Sequence, residues 1–201
     1  TGAGGVTNNA TLDIGLIDLN INGTYSMGAA STLLVDIDGA SSGSIIATGA
    51  ATALAGYGVT LDVSSTYISG GTTYTIIDGA TGVGAIAAPA ITVTGSNHLT
   101  FNATTTGDDL VLTAARTNSY DTATGATANG QAAGKALEVI AAGNPTGDML
   151  DVLSTLDGLS SEQLATALDT MVPDVSSGAV KGSQMMMGQL LTSVGQRLGF
   201  W

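Results

Sequence analysis

Cysteine is absent from this 201-residue chain, and histidine occurs once, as His98. A disulfide scaffold and Cys-ligated zinc are therefore excluded, and too few soft ligands remain for an ordinary transition-metal site. Cations are almost as scarce. Lys and Arg total 4 against 16 acidic residues, for a formal net charge of −12. The first cation is Arg116, so residues 1–115 carry eight aspartates and no positive charge. Such a surface repels phosphate, which argues against nucleic acid and anionic membrane surfaces as partners. Aromatics make up 4% of the chain while apolar residues make up 44%. The apolar content is thus Ala, Val, Leu and Ile, which suits closely stacked strands better than large rings would. No run of eighteen apolar residues exists, so nothing spans a bilayer as a conventional helix. There is no signal peptide and residue 1 is not Met, which reads as an internal piece of a longer protein.

What is present divides at 116–120. Before that point short alternating apolar runs are broken by Gly, Ser, Asn and Asp. After it, Ala, Leu, Met, Gln and Glu rise and the apolar spacing becomes helical. Strands are predicted over 11–16, 18–22, 32–38, 44–48, 59–64, 73–78, 90–94, 99–103 and 110–114. In 32–38, Leu33, Val35 and Ile37 fall on one face and Asp36 and Asp38 on the other. Asn22-Gly23, Asp38-Gly39 and Asp78-Gly79 are turn signals. The expected architecture is mainly β followed by α: the end of a right-handed parallel β-helix, a solenoid of about 20 residues per coil, closed by a capping hairpin around 99–112. A β-sandwich plus helices fits the same strand count. Downstream, a helix over 127–142 places Ala136, Leu137 and Ile140 on one face and stops at Gly143-Asn144-Pro145. Thr146 is positioned to cap a helix through Leu156. Ser160 opens a capping box with Gln163, and that helix runs to about Met171. A last helix over 174–198 carries Met187, Leu190, Leu191, Val194 and Leu198 as its apolar stripe.

Catalytic lookalikes fail on local context. Gly39-Ala40-Ser41-Ser42-Gly43 matches G-x-S-x-G, but a nucleophile elbow leads into a helix, and here a strand follows. His98 sits in Ser96-Asn97-His98 without an identifiable Ser or Asp partner, and reads as a solvent-exposed turn residue. Gly82, Gly84 and Ala87 fit a loose G-x-G-x-x-A, but Pro89 arrives before a helix is able to form. Asp36 and Asp38 begin like a calcium loop whose twelfth position is Ala47 rather than a bidentate acid; turn-capping aspartates explain them better. Met185, Met186 and Met187 read as a soft packing surface. Trp201, the one Trp, lies at the very end and offers no sugar platform. No catalytic, cofactor-binding or metal-binding residue is assigned, and the chain is expected to be no enzyme.

One resemblance runs along nearly the whole chain. The run Y-S-M-G-A-A-S-T-L-L-V-D-I-D-G over 25–39 resembles a motif near the C-terminal end of autotransporter passengers. The runs T-T-Y-T-I-I-D over 72–78 and G-D-D-L-V-L over 107–112 are similar to later strands of that region. The stretch over 144–175, from N-P-T-G-D-M-L through S-S-E-Q-L-A-T-A-L-D-T-M-V-P-D-V, resembles the helical linker preceding the translocator barrel. The resemblance implies two parts: residues 1–117 as the passenger end or autochaperone region, and 118–201 as the α-helical linker. The implied role is non-enzymatic support of secretion, folding and surface display of a passenger across a Gram-negative outer membrane. The implied partners are a downstream β-barrel and an upstream passenger, neither within these residues, with self-association open to the helical segment. No nucleic acid, small-molecule substrate or cofactor is expected. A surface adhesin or binding module is the alternative.

Overall fold

The computed structural model describes residues 4–63, 66–80, 82–143 and 145–171, together with 185–187, 189 and 192. The strands are β1 (Val6–Asn8), β2 (Thr11–Gly15), β3 (Asp18–Ile21), β4 (Tyr25–Met27), β5 (Thr32–Asp38), β6 (Ser41–Ser42) and β7 (Ser44–Ala47). They continue as β8 (Ala51–Ala53), β9 (Gly58–Asp62), β10 (Thr73–Gly79), β11 (Ala90–Thr94), β12 (Leu99–Thr106) and β13 (Asp109–Arg116). A single 3-10 turn, Tyr120–Thr122, leads to α1 (Ala128–Ala142), α2 (Asp148–Asp157) and α3 (Ser161–Met171).

The strands form three sheets, ordered β1-β4-β8, β11-β9-β5-β2 and β12-β13-β10-β7-β3. The first two are parallel throughout. The third is mixed: β3, β7 and β10 run parallel, whereas β13 pairs antiparallel with both β10 and β12. Strict alternation sets the inner faces. Leu33, Val35 and Ile37 of β5 are buried and Asp36 is exposed, because a period of two sends neighbouring side chains to opposite faces. These residues join Ile45, Val59, Leu61, Ile76, Ile77, Leu110 and Leu112 in one core. The layers approach so closely that a Cβ on Gly84 would lie 1.9 Å from the carbonyl oxygen of Ala51. Small residues are required at such a contact.

A second core joins the helices to the sheets. Leu137, Leu153, Leu156, Leu164 and Leu168 pack with Tyr67 and Tyr120. The class expected from the sequence is therefore corrected. The structure is mixed α/β, with three sheets, one of them mixed, and four helices among the described residues. It supports neither the end of a right-handed parallel β-helix followed by a linker nor a sandwich plus helices. The physical reason is long-range. β13 turns back against β10, and the helices bury their leucines against aromatic residues of the strand region instead of trailing away from it.

The helix ends are largely those set by local chemistry. Thr127 caps α1 by accepting from the Gly130 N–H, and Gly143 follows the helix's last residue. The capping box is formed: Gln163 N–H donates to Ser160 Oγ at 3.3 Å, and Ser160 N–H donates to Gln163 Oε1 at 3.0 Å. Thr146 does not cap α2; Gly147 occupies that position with no side-chain bond. The buried face of α1 is Gly130, Gly134, Leu137 and Ala141, while Ala136 and Ile140 face outward. Gly134 is needed there, since a Cβ would sit 2.6 Å from the Tyr120 carbonyl oxygen. Of the expected last helix, Met185–Met187 are helical and exposed. Pro173, Leu190, Leu191, Val194, Leu198 and Trp201 lie outside the described residues. No helix among the described residues is long and apolar enough to cross a membrane.

Candidate functional site

The junction between β13 and the helices concentrates the polar chemistry. Arg116, the last residue of β13, meets Asp157, the last residue of α2, in a bidentate fork. Nη1 donates to Oδ2 at 2.8 Å and Nη2 to Oδ1 at 2.7 Å. Their side chains are 15% and 5% exposed. Nη2 also donates to Tyr120 Oη at 2.9 Å, and that hydroxyl passes its own proton toward Asp157 Oδ1 at 2.5 Å. The guanidinium lies 4.9 Å from the Tyr67 ring centroid and 5.2 Å from that of Tyr120. Burial works against the Arg116 charge, but the hydrogen bonds and charge of Asp157 outweigh it and hold the arginine ionised. Burial raises the Tyr120 phenol strongly, and the Asp157 carboxylate raises it further. The Glu138 carboxylate accepts from the Tyr120 backbone N–H at 2.6 Å. This arrangement is a clasp in which both Arg116 Nη groups and both Asp157 oxygens are engaged, while Arg116 Nε is buried without a partner. It holds two elements together and presents no reactive atom.

Sequence reasoning placed the compositional break at 116–120 but assigned no role to these residues. The available signal was charge: a first cation after 115 residues without one needs an acidic partner if it is buried.

Beside the clasp lies a cleft of ≈ 230 Å³ lined by Asn97, His98, Asn118, Thr124, Ser161 and Leu164, among others. The exposed-turn reading of His98 is overturned: the residue is 4% exposed. Its backbone N–H donates to Ser96 Oγ at 3.1 Å, and its ring packs against Tyr120 with centroids 5.1 Å apart. Nδ1 lies 2.9 Å from the Asn118 carbonyl oxygen. A carbonyl only accepts, so Nδ1 carries a proton, and in the neutral ring Nε2 carries the lone pair. The neighbouring asparagines are hydrogen-bonded in turn. Asn97 Nδ2 donates to the Leu159 carbonyl at 3.0 Å, and Asn118 Nδ2 donates to the Asn97 carbonyl at 2.5 Å.

The remaining sequence candidates are turns and surface. Ser41 lies on β6, opposite Asp38 in the hairpin with β5, and no helix follows it. Gly82 donates its N–H to Asp108 Oδ2 at 2.9 Å, and the segment after Gly84 bridges Ile86 to Ala53 instead of opening a helix. Asp36 is exposed on β5, in register with Asp62 of β9. Among the described residues, no three His, Cys, Asp or Glu side chains come together as a metal site. No family model, no curated protein and no solved structure matches this chain.

Proposed function

We propose that this chain is a non-enzymatic part of an autotransporter outer-membrane protein, supporting secretion, folding and surface display of a passenger at the Gram-negative cell surface. The resemblance over 25–39, 72–78, 107–112 and above all 144–175 motivates the reading. The observation that carries it furthest is the Arg116–Asp157 clasp. It fastens the strands that resemble a passenger end to the helices that resemble a linker, so the two act as one folded unit. A unit of that kind suits a chain exported unfolded. Outside the cell no ATP is available, and folding free energy is then a source of directionality. A stable element close to the membrane provides the nucleus from which the passenger orders. Its partners are the parent protein's own passenger and barrel.

The test is deletion of 99–116, the β12–β13 hairpin, from the full-length parent. The expected outcome is a passenger that reaches the surface in reduced yield and in protease-sensitive form. A folded passenger displayed at the normal level would sink the reading.

A further inference from the structure

We infer that the cleft beside His98 is a binding site for a small neutral polyhydroxylated ligand of single-sugar size. This departs from the sequence-based expectation of no small-molecule partner. It stands independently of the secretion role proposed above.

The first observation is an uncommitted nitrogen. Asn118 holds Nδ1 of His98, which leaves Nε2 as an acceptor. Nε2 has no hydrogen-bond partner among the described residues. Nor is it one of the polar atoms sealed away without a partner, which are Tyr25 Oη, Tyr57 Oη and Arg116 Nε. His98 lines the cleft, and Nε2 is the ring nitrogen left to meet an occupant there. A residue otherwise 4% exposed thus keeps one polar atom available. An accessible acceptor of this kind is met by water or by a ligand donor that displaces the water.

The second observation is a complementary donor. Ser161 Oγ accepts the Thr124 N–H at 2.7 Å, which leaves the Ser161 proton free to donate. A hydroxyl group both donates and accepts, and so satisfies His98 and Ser161 with one chemistry.

The third observation is charge. Among the described residues, no Asp, Glu, Lys or Arg lines the cleft. A cation finds no carboxylate there, and an anion finds no guanidinium or ammonium on a protein of formal net charge −12. Leu159, Leu164 and Ala123 supply an apolar wall for a C–H face. The volume corresponds to about eight waters of liquid, which limits the occupant to a single ring.

The experiment is shift mapping by two-dimensional NMR on the full chain. Glucose, galactose and N-acetylglucosamine are titrated separately, with sodium acetate and sodium phosphate as charged comparators. The expected result is a saturable shift at His98, Thr124 and Ser161 with at least one sugar and none with the anions. His98→Phe and Ser161→Ala each weaken that binding about tenfold, the cost of one hydrogen bond to a bound ligand. Where His98→Phe fails to fold, Ser161→Ala decides, because Ser161 is exposed in the first turn of α3. A third variant, Thr124→Trp, plugs the cleft and abolishes the shifts. The inference is overturned by non-saturable shifts with all three sugars, by binding that survives the plug, or by saturable binding of an anion instead.

Discussion

Tyr57 holds its hydroxyl in the interior with no hydrogen-bond partner, inside a residue of 0% exposure. An unmatched buried hydroxyl costs more than its removal does, provided the ring stays in place. Tyr57→Phe is therefore expected to stabilise the protein by about 1 kcal/mol, read as a higher denaturant midpoint at unchanged slope. A lower midpoint would mean that the hydroxyl is satisfied. The buried phenols also fix a pH limit. Burial pushes Tyr25 and Tyr74 up to about 12 from the usual 10.0. Tyr57 is raised too, by burial first and then by proximity to Tyr25. The unfolded chain releases these protons near pH 10, whereas the folded chain keeps them. Stability from these rings is thus complete below pH 10 and falls as pH rises through about 12. Denaturation midpoints measured across that window should decline while the phenol ultraviolet titration stays delayed. Phenols titrating near 10 in a protein still folded would contradict the burial account.

At the scale of elements, the clasp between β13 and α2 matters most. Asp157→Asn leaves the Arg116 guanidinium buried opposite a neutral amide. Breaking a buried pair on one side costs about 3–5 kcal/mol, and the partial exposure of Arg116 places this case at the lower end. The midpoint of chemical denaturation checks it. The paired change Arg116→Met with Asp157→Leu should recover much of the loss, because an apolar pair removes both desolvation penalties. Elements were legible from sequence where a local signal of sufficient amplitude existed. The alternation over β5 fixes both of its ends, and β11 is equally clear. Ser160 and Gln163 mark the start of α3 by their own hydrogen bonds. Four strands escaped notice: β1, β4, β6 and β8, each of two or three residues. A run such as Ala51-Thr52-Ala53 has too little hydrophobic contrast to register, and its strand character comes from pairing with β4. The inward face of α1 was misassigned for a related reason. It is built on Gly130 and Gly134, which carry no hydrophobic signal and are selected by close approach to another element.

At the scale of the whole molecule, sequence periodicity does not state which strand lies beside which. One step is the exception: the coil-length spacing from Leu12 to Leu33, legible in the sequence, does join parallel partners 21 positions apart. The reversal of β13 against β10 and the docking of the helices are decided by contacts distant in sequence. The architecture was misread at this level, and so was His98, whose burial depends on Asn118 and Tyr120 arriving from beyond the hairpin. The clasp has a further consequence in time. Its two ends are separated by 41 positions and belong to elements that form by different local interactions, a strand hairpin and a helix. The fork is expected to close after both are complete and docked, beyond the folding barrier. Contacts of that kind leave the rate of folding nearly unchanged and govern the rate of unfolding. Arg116→Ala should therefore steepen the loss of native protein in unfolding jumps while refolding proceeds at close to the original speed. The lifetime of the folded state, more than its speed of arrival, rests on the first positive charge in the chain.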